Sequence, residues 1–308
     1  MKDRIEGGLL GLLVGDALGV PYEFHQPSEI PKFDQIEFLP PESFSRSHQG
    51  VQPGTWSDDG AQALILLDSL LNCGKLDLEN FAKGLIAWYE TGYMAVDKIV
   101  FDVGIQTGKA IRRLKSGVSA LEAGLTDEQA NGNGSLMRVL PLALWHKGTD
   151  AELVNDAHLQ SRVTHGHIRS QVCCALYCLW ARDTLFAVAQ PWQEAVAKLR
   201  AIYHKDSKEY QELEWSIRPD DPPIGQGGGY VVDCLRSARL VMQEDTYEKV
   251  VKAAISLGRD TDTTACVAGG IAGIRDGITA IPSRWLANLR GKEILQPQLE
   301  RLIQWRCG

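Results

Sequence analysis

No lysine- or arginine-rich run occurs in the 308 residues, and 39 acidic side chains outnumber 32 basic ones, for a net charge of −7. Binding nucleic acid through its phosphates needs a concentrated positive face, so the composition argues against that as a primary role. An anionic small ligand is still open, because backbone N–H groups and bound metals hold phosphates locally. Cysteines at CxxC spacing are also missing. The odd total of seven (Cys73, Cys173, Cys174, Cys178, Cys234, Cys266, Cys307) suits no closed disulfide set. Several sit in apolar runs such as QVCCALYCLW, where a free thiol acts as a small core residue. A reducing cytoplasm is the expected compartment. The longest apolar stretch, Leu9 to Leu18, is interrupted by Gly11, Gly15 and Asp16 and falls short of the roughly 20 residues of a membrane span. Asp3 and Glu6 break the basic start and no small-residue cleavage site follows, so no signal peptide and no membrane association are expected.

Strand signals are scarce as well. No long alternating pattern appears, and no Val/Ile-rich runs alternate with helices as βαβ units require. Apolar residues instead recur at helical spacing along most of the chain. The first such run holds Ile5, Leu9, Leu12, Leu13 and Leu18; further ones cover about 60–72, 78–91, 104–115, 135–146, 150–163 and 167–188. The pattern continues at about 191–204, 230–242, 246–257, 261–275 and 291–305. Two segments read as loops: 26–54, with Pro27, Pro31, Pro40, Pro41 and Pro53, and 216–229, SIRPDDPPIGQGGG. Neither separates segments of different composition, and no internal repeat is present. With apolar content of 44% and charged content of 23%, a single all-α domain over residues 1–308 is expected.

Against this background two short acidic clusters stand out, far apart in sequence. Ser57-Asp58-Asp59 joins a Gly/Pro-rich loop to a helix, and Asp260-Thr261-Asp262-Thr263 opens an Ala/Gly-rich one. Capping of orphan N–H groups explains one acidic or hydroxyl side chain at a helix start, not three. If the clusters meet, their all-oxygen donor set favours Mg²⁺, then Mn²⁺ or Ca²⁺, over zinc. Converged carboxylates need counter-charge, which a pair of divalent ions would supply. Glu23, after the first helix, is a further candidate, although a lone glutamate there is ordinarily solvated. The turn Asn131-Gly132-Asn133-Gly134-Ser135 offers N–H groups to a phosphate but is neither a Walker A loop nor a dinucleotide fingerprint. His165 and His167 lack a third ligand at zinc spacing; His165 reads as a pocket side chain and His167 as structural. Tyr230, behind three glycines, can present its ring to a ligand.

In this order, the stretches GDALGVPYEF, WSDDGAQA, FDVGIQTGKAI, GNGSLMRVLP, THGHIRS, GGYVVDCL and LGRDTDTTACVAGGIAG resemble the ADP-ribosylglycohydrolase family, in particular its ADP-ribosylarginine hydrolase and dinitrogenase-reductase-activating branch. They span residues 15–273. The resemblance implies a compact orthogonal helical bundle with a dinuclear magnesium centre, in which manganese is a possible substitute. Ser57, Asp58 and Asp59 match its first metal-binding triplet, and Asp260, Asp262 and Thr263 its second. Glu23 matches a glutamate that coordinates or gates the metals, and Asp102 a carboxylate proposed as acid/base; with Asp58 these are the catalytic candidates. Gly132, Asn133, Gly134 and Ser135 match the turn that holds the diphosphate and distal ribose of ADP-ribose, while His165 and Tyr230 match positions lining that pocket. Two departures are visible: Ser57 stands where threonine is usual, and Gly60 replaces a residue that would supply one more hydroxyl.

The implied reaction is hydrolysis of the bond between ADP-ribose and a protein side chain, arginine first, with water attacking an oxocarbenium-like anomeric carbon. The implied partners are an ADP-ribosylated protein and ADP-ribose. Other readings are the same chemistry on serine, O-acetyl or DNA-linked ADP-ribose, a non-catalytic ADP-ribose-binding or immunity protein, and a purely structural helical protein. Choice of leaving group is expected to lie in the loops 26–54 and 216–229.

Overall fold

The computed structural model describes residues 1–308 and holds fourteen α-helices and no sheet. They are α1 (Lys2–Gly19), α2 (Asp58–Cys73), α3 (Leu78–Thr91), α4 (Ile105–Lys115), α5 (Leu140–Trp145), α6 (Asp150–Arg162) and α7 (Ile168–Leu185). These are followed by α8 (Pro191–Ile202), α9 (Lys208–Gln211), α10 (Val231–Val241), α11 (Tyr247–Ser256), α12 (Thr261–Asp276), α13 (Ser283–Asn288) and α14 (Lys292–Cys307). One contiguous apolar core runs from Ile5 to Leu302. The helix boundaries follow local chemistry. Ser57 caps α2 and Gly74, at φ 65°, ends it; Thr149 and Glu152 close a capping box at α6.

The pair α1–α12 forms the spine. Gly7, Gly11, Gly15 and Gly19 recur every fourth residue, hence on one face of α1. That face lies against Ala265, Gly269 and Gly273 of α12, so closely that a Cβ on Gly11 would stand 2.5 Å from the Gly269 carbonyl oxygen. Helix backbones approach this nearly only where side chains are absent. The Tyr247 hydroxyl of α11 donates to the Gly11 carbonyl at 2.8 Å and secures the crossing. Gly11, Gly15 and Asp16, which interrupt the apolar stretch, lie inside the expected helical run, and α1 continues through all three as a buried helix. With the 3₁₀ turn Val20–Tyr22 it is the one segment long and apolar enough to cross a membrane, and 94% of its most apolar 18 residues are buried inside the fold.

α7 is buried on nearly every side and carries Cys173, Cys174 and Cys178 into the core; all seven cysteines are unpaired. Three elements depart from the expected pattern. The helix anticipated from 135 starts at Leu140, because Leu136 and Met137 donate back to the Asn133 carbonyl in a tight turn and Pro141 then opens the helix. Residues 208–217 are helical, ending in a π-helical turn at Glu212–Ile217, and 283–288 form α13 after Pro282. Two isolated bridges, Leu125 with His165 and Gly132 with Tyr230, tie loops across the helix ends.

Candidate active site

The α1–α12 crossing sets the N-terminus of α12 beside the C-terminal end of α1, and α2 starts at the same place. The Thr261 hydroxyl donates to the Gly19 carbonyl at 2.8 Å. The Asp16 carboxylate in α1 accepts from the Ser57 and Gly60 backbone N–H groups at 2.9 and 2.7 Å. Thr263 Oγ1 donates to Asp59 Oδ1 at 3.4 Å, across the two clusters. Glu23, Asp260 and Asp262 each bring an oxygen within 4.8 Å of the others, and Glu23, His48 and Asp102 form a second such group sharing Glu23. The two acidic clusters thus converge, and Glu23, a position where a lone glutamate is ordinarily solvated, is 3% exposed beside them.

Capping accounts for Ser57 alone, whose Oγ accepts from Asp59 N at 3.3 Å. Asp260 makes no side-chain cap; its Oδ2 accepts from Asn133 Nδ2 at 2.8 Å. Asp59 Oδ2 and Asp262 Oδ2 are buried with no hydrogen-bond partner. Burial, then neighbouring carboxylates, raises the pKa of Asp58, Asp59 and Asp262 well above the carboxylate range. The same causes push Glu23 to about 11, and burial followed by the Asp260 charge lifts Asp102 to about 6. Asp16 reaches about 7, burial outweighing the hydrogen bonds it accepts. Orphaned buried oxygens in a set made of carboxylates and hydroxyls fit a hard divalent cation. Asp58, Asp59, Asp260, Asp262 and Thr263, with Glu23, are the groups able to hold one.

This chemistry has a measurable consequence. Without metal, the folded protein binds more protons than the unfolded chain wherever its acids stay protonated and the unfolded ones do not. Stability then falls as pH rises. For Asp102 and Asp16 that window opens near the ordinary value of 3.8 and closes at about 6 and about 7. In chelator, the melting temperature is expected to fall steadily from pH 5 to pH 8, and millimolar Mg²⁺ or Mn²⁺ is expected to restore it at pH 8. A flat profile in chelator would contradict the assigned protonation.

A cavity of about 970 Å³ opens over the cluster. Glu23, Asp58, Asp59, Asp102, Gly132, Asn133, Gly134, His165, Tyr230, Asp260 and Thr263 all line it, so most of the expected residues meet in one place. Ser57 and Asp262 lie behind this wall. Ser135, expected as a ligand-holding residue, does not line the cavity either. It is fully buried and its Oγ accepts from Ser161 Oγ at 2.8 Å, because the turn after Gly134 points inward. Two N–H groups of the turn are also committed within the protein: Gly132 donates to Gln106 Oε1 at 2.9 Å and Asn133 to the Gly229 carbonyl at 3.0 Å. His165 packs against the turn, and its Nδ1 bonds the Thr164 hydroxyl at 2.8 Å. Burial, with Arg138 adding to it, lowers its pKa to about 3, so it is neutral at pH 7. His167 caps α7, as expected of a structural residue.

The family model for ADP-ribosylglycohydrolase matches residues 1–307. The chain belongs to the ADP-ribosylglycohydrolase family. It is 29% identical to ADP-ribosylarginine hydrolase Tri1 of Serratia proteamaculans (strain 568), over 98% of this chain and 79% of that protein. It is also 29% identical to the ADP-ribosyl-[dinitrogen reductase] glycohydrolase of Rhodospirillum rubrum, over 94% and 91% of the two chains. A solved ADP-ribosylglycohydrolase-related protein complex superimposes with a TM-score of 0.79 at 28% identity, over 99% of this chain and 98% of that one. The protein is thus a glycohydrolase enzyme with the all-α fold of its family.

Several residues of this glycohydrolase escaped the sequence reading. Asp16 looked like a break in an apolar run; a lone carboxylate amid buried helix positions was the available signal. Gln62 and Arg138 form a buried relay to the cluster: Gln62 Nε2 donates to Asp58 at 2.8 Å, and Arg138 donates to Gln62 Oε1 at 2.9 Å. Nothing in their spacing announces it. Gln106, Lys109, Phe24 and Arg259 also line the cavity. Gly60 is explained by packing. A Cβ there would lie 2.7 Å from Leu13 Cδ2, 2.8 Å from Trp56 Cγ and 2.9 Å from Asp16 Oδ2, so the carboxylate of Asp16 fills the space that a larger residue would need.

Proposed function

We propose that this glycohydrolase removes ADP-ribose from modified protein side chains, ADP-ribosyl-arginine first, with two magnesium ions, manganese being an acceptable substitute. The observation that carries the reading is the convergence of Asp58, Asp59, Asp260, Asp262 and Glu23, with unpartnered oxygens on Asp59 and Asp262. Relatives named as an ADP-ribosylarginine hydrolase and an ADP-ribosyl-[dinitrogen reductase] glycohydrolase support the substrate class. The residues that would hold the ions are Ser57, Asp58, Asp59, Asp260, Asp262 and Thr263, with Glu23 beside them. Bound divalent cations supply charge that fixes ribose hydroxyls and activates water.

The remaining steps belong to the chain. Gly132, Asn133 and Gly134 leave room for the diphosphate end, since glycine at 132 and 134 keeps Gln106 and His165 clear. Neutral His165 and the half-exposed Tyr230 line the sugar side of the cavity, and Arg169 orients the Tyr230 hydroxyl at 3.1 Å. Asp102, half-buried and shifted to about 6, holds a proton for the departing guanidine nitrogen and afterwards takes one from water. Carboxylates around the anomeric carbon stabilise its developing positive charge. The seven unpaired thiols support a cytoplasmic setting, and residues 1–308 act as one catalytic unit.

The test is release of ADP-ribose from an ADP-ribosyl-arginine protein, with Mg²⁺ and with chelator. Magnesium-dependent release is the expected result. Release from serine or O-acetyl adducts alone would move the leaving group, and release undiminished in chelator would remove the metals.

A further inference from the structure

Phe24 is an aromatic residue that the fold holds out of the core at some cost. It is 67% exposed, although it follows directly on the buried Glu23. Its backbone is left-handed, at φ 66°, which is unfavourable for a bulky side chain without glycine's freedom. A hydrogen bond from its N–H to the Arg259 carbonyl, at 2.6 Å, pins that conformation. The ring lines the catalytic cavity, as does Ile105, which is 77% exposed. It lies 5.7 Å from the His48 ring, which lies 5.1 Å from Phe101, so an aromatic row borders the carboxylates of Glu23 and Asp102. No cation of the chain covers Phe24 or Phe101. The guanidinium of Arg259 on the same cavity is tied to the Gln226 and Leu257 carbonyls, at 2.6 and 3.2 Å.

We infer that Phe24 is the platform for the leaving group, its ring taking one face of a substrate guanidinium whose N–H edges meet the carboxylates beside it. The inference rests on the proposed hydrolysis of ADP-ribosyl adducts and names the residue that selects among them. A guanidinium is planar, weakly hydrated and stacks on aromatic faces, whereas a serine hydroxyl or acetyl leaving group carries no cation. An aromatic face on the cavity that Asp102 and Glu23 also line, Glu23 meeting His48 Nε2 through Oε2 at 2.7 Å, therefore discriminates by charge and shape together. It does so at the start of the 26–54 loop rather than in the loop itself.

The experiment compares the parent enzyme with Phe24→Ala, Phe24→Leu and Phe24→Trp. Each is assayed on matched ADP-ribosyl-arginine and ADP-ribosyl-serine peptides, and methylguanidine binding is measured by calorimetry. Ala and Leu are expected to lower the arginine-to-serine ratio of kcat/KM by about 5–30-fold, the size of a partly desolvated cation–π contact. Methylguanidine affinity should fall by a similar factor, and Trp should restore both. Leucine keeps the apolar bulk without the π face, so it separates stacking from packing. Equal losses on the two substrates, or unchanged methylguanidine binding in variants that melt like the parent, would overturn the assignment. If the parent enzyme released ADP-ribose from serine but not from arginine, the arginine reading would fail by itself. Methylguanidine binding would then still decide whether Phe24 holds a cation.

Discussion

Gly11→Val is expected to leave no cooperatively folded protein. A Cβ on Gly11 would stand 2.5 Å from the Gly269 carbonyl oxygen, 3.0 Å from Tyr247 Cε2 and 3.1 Å from Gly273 Cα. Two of these atoms are helix backbone, so no rotamer change relieves the clash, and α1 and α12 must separate. Separation strips the Tyr247 hydroxyl from its acceptor and opens the dense face built on Gly7, Gly11, Gly15, Gly269 and Gly273. Overpacking of one side chain costs about 1–3 kcal/mol, and displacing two core helices exceeds that range, against a total stability of about 5–15 kcal/mol. Circular dichroism on heating is expected to show no sharp transition. Gly74→Ala is the control: that glycine closes α2 in open space at φ 65°, and replacing it should cost only about 1 kcal/mol. A valine variant melting within a few degrees of the parent would disprove the backbone-contact account.

The second large effect separates activity from stability. Asp58→Asn is expected to cut hydrolysis by about 10²–10³-fold or more, the scale of removing one fixed electrostatic group from a catalytic site. The same change should raise the melting temperature in chelator at pH 8. The substitution removes a charge that burial, Asp102 and Asp16 all disfavour. An amide oxygen in place of the carboxylate still accepts from Gln62, so the relay to Arg138 remains satisfied. Opposite signs for the two measurements are the mark of a site that stores repulsion for a cation. Parental activity, or a lower melting temperature in chelator, would contradict that description.

Much of this was legible from residues alone because helix formation and donor chemistry are local properties. The 3.6-residue recurrence of apolar side chains marked most of the long helices, and the thiols in QVCCALYCLW read correctly as core. The oxygen-only composition of the two clusters already pointed to a hard cation as the kind of ion they could hold. Errors arose where neighbours in space overruled neighbours in sequence. Asp16 read only as a charge interrupting an apolar run, because its partners, Ser57 N and Gly60 N, lie on another element. Ser135 belonged to a plausible phosphate turn, yet its hydroxyl is consumed by Ser161. Gly60 supplies no hydroxyl, and the reason, that Leu13, Trp56 and Asp16 leave no room for a side chain there, is visible only in space.

By itself the sequence determined the helical class, the hard-oxygen donor set and the family, since each follows from residue identity and short-range order. Tertiary structure alone decided that the two clusters meet, that Glu23 is buried between them, and that Arg138 reaches Asp58 through Gln62. It also decided that Phe24 faces the cavity. The physical reason is the α1–α12 crossing. Glycines every fourth residue let two backbones approach until groups far apart in the chain share one poorly solvated volume, where their charges must be paired or protonated.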